Sequence, residues 1–134
     1  MSQGGMLLNY SDILRGLTDT IILERLNQSD SYGYQINKAI RECSGEKMEL
    51  KEATLYTSFR RLEDGALILS YWGDENSGAR RRYYSITEKG RAVLNENKRD
   101  WIEIQRLIEK LVLGAGTENQ GRLQKKMTGE NNEF

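Results

Sequence analysis

Thr54, Thr57, Ser58 and Arg61 recur at i, i+3, i+4 and i+7, the spacing of one helix face. Short hydroxyls beside a guanidinium hydrogen-bond and neutralise charge; they do not make covalent bonds. Such a face suits a groove walled by phosphates and floored by base edges, although an ordinary solvated helix has a similar composition. Lys51, Tyr56 and Arg60 flank it, placed to reach phosphates or the groove edge. A second basic group follows at Arg80, Arg81 and Arg82, with Tyr83 and Tyr84 directly after. From position 80 to 91, Arg80, Arg81, Arg82, Lys89 and Arg91 oppose only Glu88, so the segment carries 5 − 1 = +4. An arginine cluster is ordinarily a solvated surface. Placed after a polar-faced helix and followed by aromatic residues, it points to phosphate contact.

The rest of the composition narrows the chemistry. The 134 residues hold 20 Lys+Arg and 20 Asp+Glu, so the chain has no net charge and any attraction for a polyanion must come from how charge is distributed. There is no histidine and a single cysteine, Cys43, which removes the commonest general base, the common zinc ligand sets and any intramolecular disulfide. No phosphate loop or paired carboxylates stand out, so the expectation is a protein that is not an enzyme and needs no cofactor or metal. With 37% apolar and 30% charged residues, no apolar run near the roughly 18 needed for a membrane span and no leader-like N-terminus, the expected location is the cytoplasm.

The elements that must position these residues can be read from periodicity. A tail is expected over 1–9. A first helix is expected at about 11–27, capped by Ser11 or Asp12 and burying Ile13, Leu14, Leu17, Ile21 and Leu26. A second, at about 32–43, would bury Tyr34, Ile36, Ala39 and Ile40, with Cys43 a small buried residue in its last turn and Ser44-Gly45 closing it. The third, at about 51–65, buries Leu55, Phe59 and Leu62 and ends at Gly65. The period then changes. Residues 66–72 and 80–86 read as two strands around a turn cluster at 73–78, and a two-stranded hairpin needs the helices beneath it to be stable. Thr87 caps a last helix at 88–113, in which Leu94, Trp101, Ile104, Ile108 and Leu111 fall in the register of a coiled-coil seam with Asn97 at a polar core slot. At 1.5 Å per residue that helix is about 39 Å long, too long for a domain of this size to cover, so a second copy is expected on the seam. A seam packed only on the chain's own first helix is the alternative. Residues 114–134 read as a flexible tail.

Helix, helix-turn-helix, basic hairpin and long final helix make a mainly α winged helix-turn-helix, residues 10–87, followed by a dimerisation helix, 88–113. The chain resembles the PadR family of transcriptional regulators, specifically its small members with one C-terminal helix. The resemblance is carried by Tyr32-Gly33-Tyr34-Gln35-Ile36, by Thr54-Leu55-Tyr56 continuing through Arg61-Leu62-Glu63-Asp64-Gly65, and by the run from Gly78 to Gly90, and it covers about 8–113. It implies that 51–65 is the recognition helix, that 67–86 is the wing and that the last helix pairs two protomers. Thr57 and Ala79 stand where the family usually has proline, which bears on base preference and local rigidity. Some small members bind planar aromatic compounds in a pore at the dimer interface beside a tryptophan. Trp101 matches that position, a core aromatic of the seam being the other reading.

The expected protein is therefore a homodimeric repressor of transcription on double-stranded DNA with an inverted-repeat operator. DNA contacts are expected from Lys51, Thr54, Tyr56, Thr57, Ser58, Arg60, Arg61, Arg80, Arg81, Arg82 and Tyr83. The dimer interface is expected at Leu94, Trp101, Ile104, Ile108 and Leu111, with release by an aromatic effector at Trp101. The alternative is a winged-helix module that binds protein without specific DNA binding.

Overall fold

The structure is a computed structural model that describes residues 10–74 and 80–114, with side chains from Asp12 onward. The expected N-terminal tail, most of the C-terminal one and most of the wing turn lie outside these residues. Among them are α1 (Tyr10–Gln28), α2 (Gly33–Cys43), α3 (Glu52–Asp64), β1 (Ile68–Trp72), β2 (Arg82–Ile86) and α4 (Glu88–Leu113). The strands pair antiparallel, Ile68 with Ile86 and Trp72 with Arg82. A bridge between Ser31 and Tyr84 attaches the α1–α2 link to the outer side of β2.

Ile22, Leu23 and Leu26 of α1, Ile36 and Ile40 of α2, Leu55, Phe59 and Leu62 of α3, and Ile68, Tyr84, Ile86 and Leu94 form one core. Three expectations about burial are corrected. The buried face of α1 is set by Ile22, Leu23 and Leu26, while Leu14 is 46% exposed. Tyr34 is exposed and Cys43 is exposed, the latter accepting a long contact from Arg25 Nη1 at 3.7 Å. α2 is short and turns only Gly33, Ile36 and Ile40 inward, so its remaining apolar positions fall outside the contact stripe.

Three local devices hold α3 and the hairpin in place. Asn37 Nδ2 donates to the Leu50 carbonyl at 2.7 Å and its Oδ1 accepts from the Leu50 amide at 2.8 Å, which pins the α2–α3 link. After α3 the left-handed residue is Ala66 (φ 60°), one past the expected Gly65, and the Leu67 amide closes back on the Leu62 carbonyl at 2.9 Å. Thr87 Oγ1 accepts from the Gly90 amide at 3.0 Å, the N-cap expected for α4, and also donates to the chain before β1. Helix α4 passes closely enough that a Cβ on Gly90 would lie 2.2 Å from the Leu67 carbonyl oxygen.

The chain divides into two compact units, one through Asn97 and one from Lys98. The boundary lies inside α4 rather than at its start, because Leu94 is buried in the first unit and Asn97 donates to Thr20 of α1 at 3.0 Å. Leu94 is thus a core residue of its own chain, which corrects its assignment to a dimer interface. Asn97, expected at a polar slot of the seam, has a partner within the chain in the Thr20 hydroxyl. In the second unit Trp101 is 38% exposed, Ile108 41% and Leu111 74%, with Ile102, Leu107 and Val112 beside them also exposed.

Candidate nucleic-acid interface

Helix α3 buries Leu55, Ser58, Phe59 and Leu62, which leaves Ala53, Thr57 and Arg60 pointing the opposite way and Thr54 exposed beside them. The hydroxyl-and-arginine face expected from spacing is therefore split. Thr54 and Thr57 are exposed, but Ser58 is only 1% exposed and cannot reach a groove. It accepts a hydrogen bond from Arg61 Nη2 at 3.1 Å. Arg61 in turn donates through Nε (3.0 Å) and Nη2 (2.7 Å) to the two carboxylate oxygens of Asp19 on α1. The hydrogen bond to Asp19 and its charge hold the Arg61 guanidinium above its ordinary range against the opposing effect of burial. Asp19 is a partner of Arg61 that sequence reading misses. It lies 42 positions away, and no spacing rule connects the two.

The flank of α3 that carries Thr54, Thr57 and Arg61 forms, with Arg15 and Thr18 of α1, a cavity of about 350 Å³ open to solvent. The opposite flank carries Tyr56, 45% exposed, whose ring meets Phe59 edge-on at 5.4 Å. Its hydroxyl packs against Gly33, where a Cβ would come within 2.8 Å. Lys51, also exposed, occupies the N-cap position.

The hairpin is fixed to α3 rather than merely adjacent to it. Tyr84 stacks on Phe59 with centroids 3.9 Å apart, and its burial raises the phenol above the usual range. Arg82 Nη2 donates to Ser70 Oγ at 2.8 Å and lies 3.6 Å from Glu63 of α3, so this arginine is engaged within the fold. Arg80 and Arg81 are exposed. Arg80 and Arg82 both lie over the Trp72 ring, at 5.3 and 5.7 Å, and Arg81 lies over Tyr32 at 4.9 Å. Aromatic platforms of this kind limit the arginine rotamers before any partner arrives. Tyr83 is held between Tyr71, stacked at 5.6 Å, and Tyr32, edge-on at 5.3 Å, and its ring is a support for the hairpin. The one signal of Trp72 in the sequence is an aromatic at the end of β1 facing the basic return strand.

Tyr71 completes the attachment by donating to Asp30 at 2.6 Å, and that hydrogen bond is the main reason its phenol is pushed up to about 12 from 10.0. A phenol whose folded pKa lies above its unfolded value stabilises below about pH 10 and loses that contribution as pH rises through about 12. In an ultraviolet tyrosinate titration, Tyr71→Phe should delete one late phenol and Asp30→Asn should return that phenol toward 10.0; late titration unchanged in Asp30→Asn would remove the hydrogen bond as its cause.

A helix-turn-helix whose second helix is outward-facing and joined to a basic hairpin defines the winged helix-turn-helix class. The model of the PadR-like family of transcriptional regulators matches residues 22–96. The chain belongs to this family. It is 43% identical to a transcriptional regulator from Clostridium thermocellum, with 78% of this chain and 99% of that one covered and a TM-score of 0.69. It is 36% identical to a PadR family transcription regulator from Clostridium difficile, with 71% and 97% covered and a TM-score of 0.62. An uncharacterised protein of Lysinibacillus sphaericus is 41% identical over 104 residues, 78% of this chain and 95% of its own length. The family consists of regulators, not enzymes. No helix among the described residues is long and apolar enough to cross a membrane.

Proposed function

We infer that the chain is a homodimeric repressor that binds an inverted-repeat operator in the cytoplasm. The observation that carries this reading is the joining of two exposed basic and polar surfaces into one rigid reader. Thr54, Thr57 and Arg60 stay exposed on α3, Arg80 and Arg81 stay exposed before β2, and the Phe59–Tyr84 stack fixes one element on the other. On this reading α3 enters the major groove, Thr57 and Arg60 reach base edges, Thr54 faces the groove wall on the α1 side, and Lys51 and Tyr56 meet the groove edge. Arg80 and Arg81 contact the backbone or minor groove. Arg82 and Tyr83 hold the wing, and Ser58 acts from the interior by supporting Arg61.

A single copy offers few base contacts, so specificity needs a second at fixed spacing. The exposed apolar residues Trp101, Ile108 and Leu111, with Ile104 partly exposed among them, supply the surface for it, and half-sites about one helical turn apart follow. A planar aromatic effector would meet Trp101 and change the spacing of the paired readers. A planar cationic dye should quench Trp101 fluorescence, and equal quenching in Trp101→Phe would remove that role.

Arg81→Ala tests the wing. In a binding titration it should weaken affinity on every sequence and reduce the salt slope by about one. An unchanged slope would remove the wing from the interface.

A further inference from the structure

We propose that the cavity between α1 and α3 is a seat for one DNA backbone phosphate, and that Asp19 makes Arg61 the phosphate contact rather than a reader of bases. The proposal rests on α3 being the DNA reader and adds how the flank of that helix meets DNA.

A guanidinium has five N–H donors. Nε–H and one Nη2–H go to Asp19, and the other Nη2–H goes to Ser58. Only the Nη1 donors remain outside this network. Bidentate recognition of guanine needs two nitrogens aimed together at O6 and N7, and Arg61 has one to give while Asp19 and Ser58 hold the others. The side chain of Asp19 is 16% exposed and that of Arg61 37%, so the pair is sheltered while part of the guanidinium remains accessible. Asp19 balances the guanidinium charge, so Nη1 offers one anionic oxygen a fixed hydrogen-bond donor, and removing Arg61 would leave the Asp19 carboxylate unbalanced beside it.

Position agrees with donor count. A helix with its side chains is about 10–12 Å across and the major groove is about 12 Å wide. The outermost face of α3 therefore meets bases while its flanks meet the phosphate walls. Arg61 lies with Thr54 on the α1-facing flank, and Thr57 lies between that flank and the outermost residue Arg60. The cavity of about 350 Å³ at that flank is walled in part by Leu14 and Ala53, and the Thr54 and Thr18 hydroxyls and the Arg15 guanidinium also line it beside Arg61. Arg15 is itself oriented by Asp12 at 2.8 Å. The occupant is a phosphodiester of the duplex bound by α3, because the cavity shares Thr54 and Thr57 with the reading helix.

The test is selection by the full-length protein from a pool of duplexes with a randomised central segment, followed by titration of the enriched duplex over a range of salt. Arg61→Ala should enrich the same motif as wild type, bind all duplexes more weakly, and show a salt slope smaller by about one. Arg61→Lys, which keeps a point charge but not the planar fork, should keep the motif and lose affinity only a few-fold. Asp19→Asn should show coupling of at least about threefold with Arg61→Ala in a double-mutant cycle, since it acts through Arg61. Thermal melts of all variants separate misfolding from binding, and Arg61→Lys keeps the charge if Asp19→Asn is too unstable to use. A motif altered at a base pair by Arg61→Ala, an unchanged salt slope, or a cycle without coupling would each overturn the phosphate seat while leaving α3 as the reader. Wild-type protein that retains no duplex would overturn both.

Discussion

Gly90→Ala should lower the melting temperature by about 10 °C or more, the largest stability effect expected from a single added methyl group among the described residues. The added Cβ would sit 2.2 Å from the Leu67 carbonyl oxygen and 2.8 Å from Ile86 Cγ1. Neither neighbour can yield easily. The Leu67 oxygen accepts from the Thr87 amide at 3.0 Å and from Thr87 Oγ1 at 3.1 Å, so moving it breaks the junction between β2 and α4. Ile86 is 8% exposed and part of the core. Overpacking against backbone costs about 1–3 kcal/mol, and a domain of this size loses roughly 4–8 °C per kcal/mol. Arg91→Ala, an exposed neighbour on the same helix, is the control and should melt within a few degrees of wild type. A Gly90→Ala melt equally close to wild type would show that α4 does not approach β1 as described.

Ile108→Glu should give a monomer in sedimentation and weaken operator binding by about a hundredfold or more, the usual size of a lost second engagement. The core of the first unit contains nothing beyond Leu94, so the variant should keep its fold and its helical signal. Ile108 is 41% exposed and flanked by Leu111 at 74%, so the single chain gives these residues little cover. A charge there costs nothing in a monomer and much in an apolar seam. A stable dimer of Ile108→Glu that still binds DNA would refute the seam.

The sequence made some elements legible and left others hidden, for identifiable reasons. Helix α4 is legible at 88–113 because Thr87 is a strong cap and its apolar spacing, interrupted at Asn97, runs on to Leu113. The hairpin was visible because its residue types and period change sharply after Gly65. Periodicity shows that a helix has an apolar stripe but does not fix which part of it meets the core. Leu14 and Tyr34 lie on such stripes yet are exposed, and Leu94 lies in the seam register yet is buried in its own chain. The face Thr54–Thr57–Ser58–Arg61 was found as a pattern, yet its partition into exposed threonines, a buried serine and a tethered arginine depends on Asp19. Pairings across such separation arise from tertiary packing and leave no local trace, and the same holds for Gly90 against Leu67.

The measurement that bears most directly on the account is retention of a randomised duplex pool by the wild-type protein at rising salt. Retention at low salt, enrichment of an inverted repeat with half-sites about one helical turn apart, and a steep fall of affinity with salt are the results expected of a paired winged-helix reader. No retention at low salt, with the protein folded and dimeric, would contradict DNA reading and leave the winged helix as a surface for binding protein.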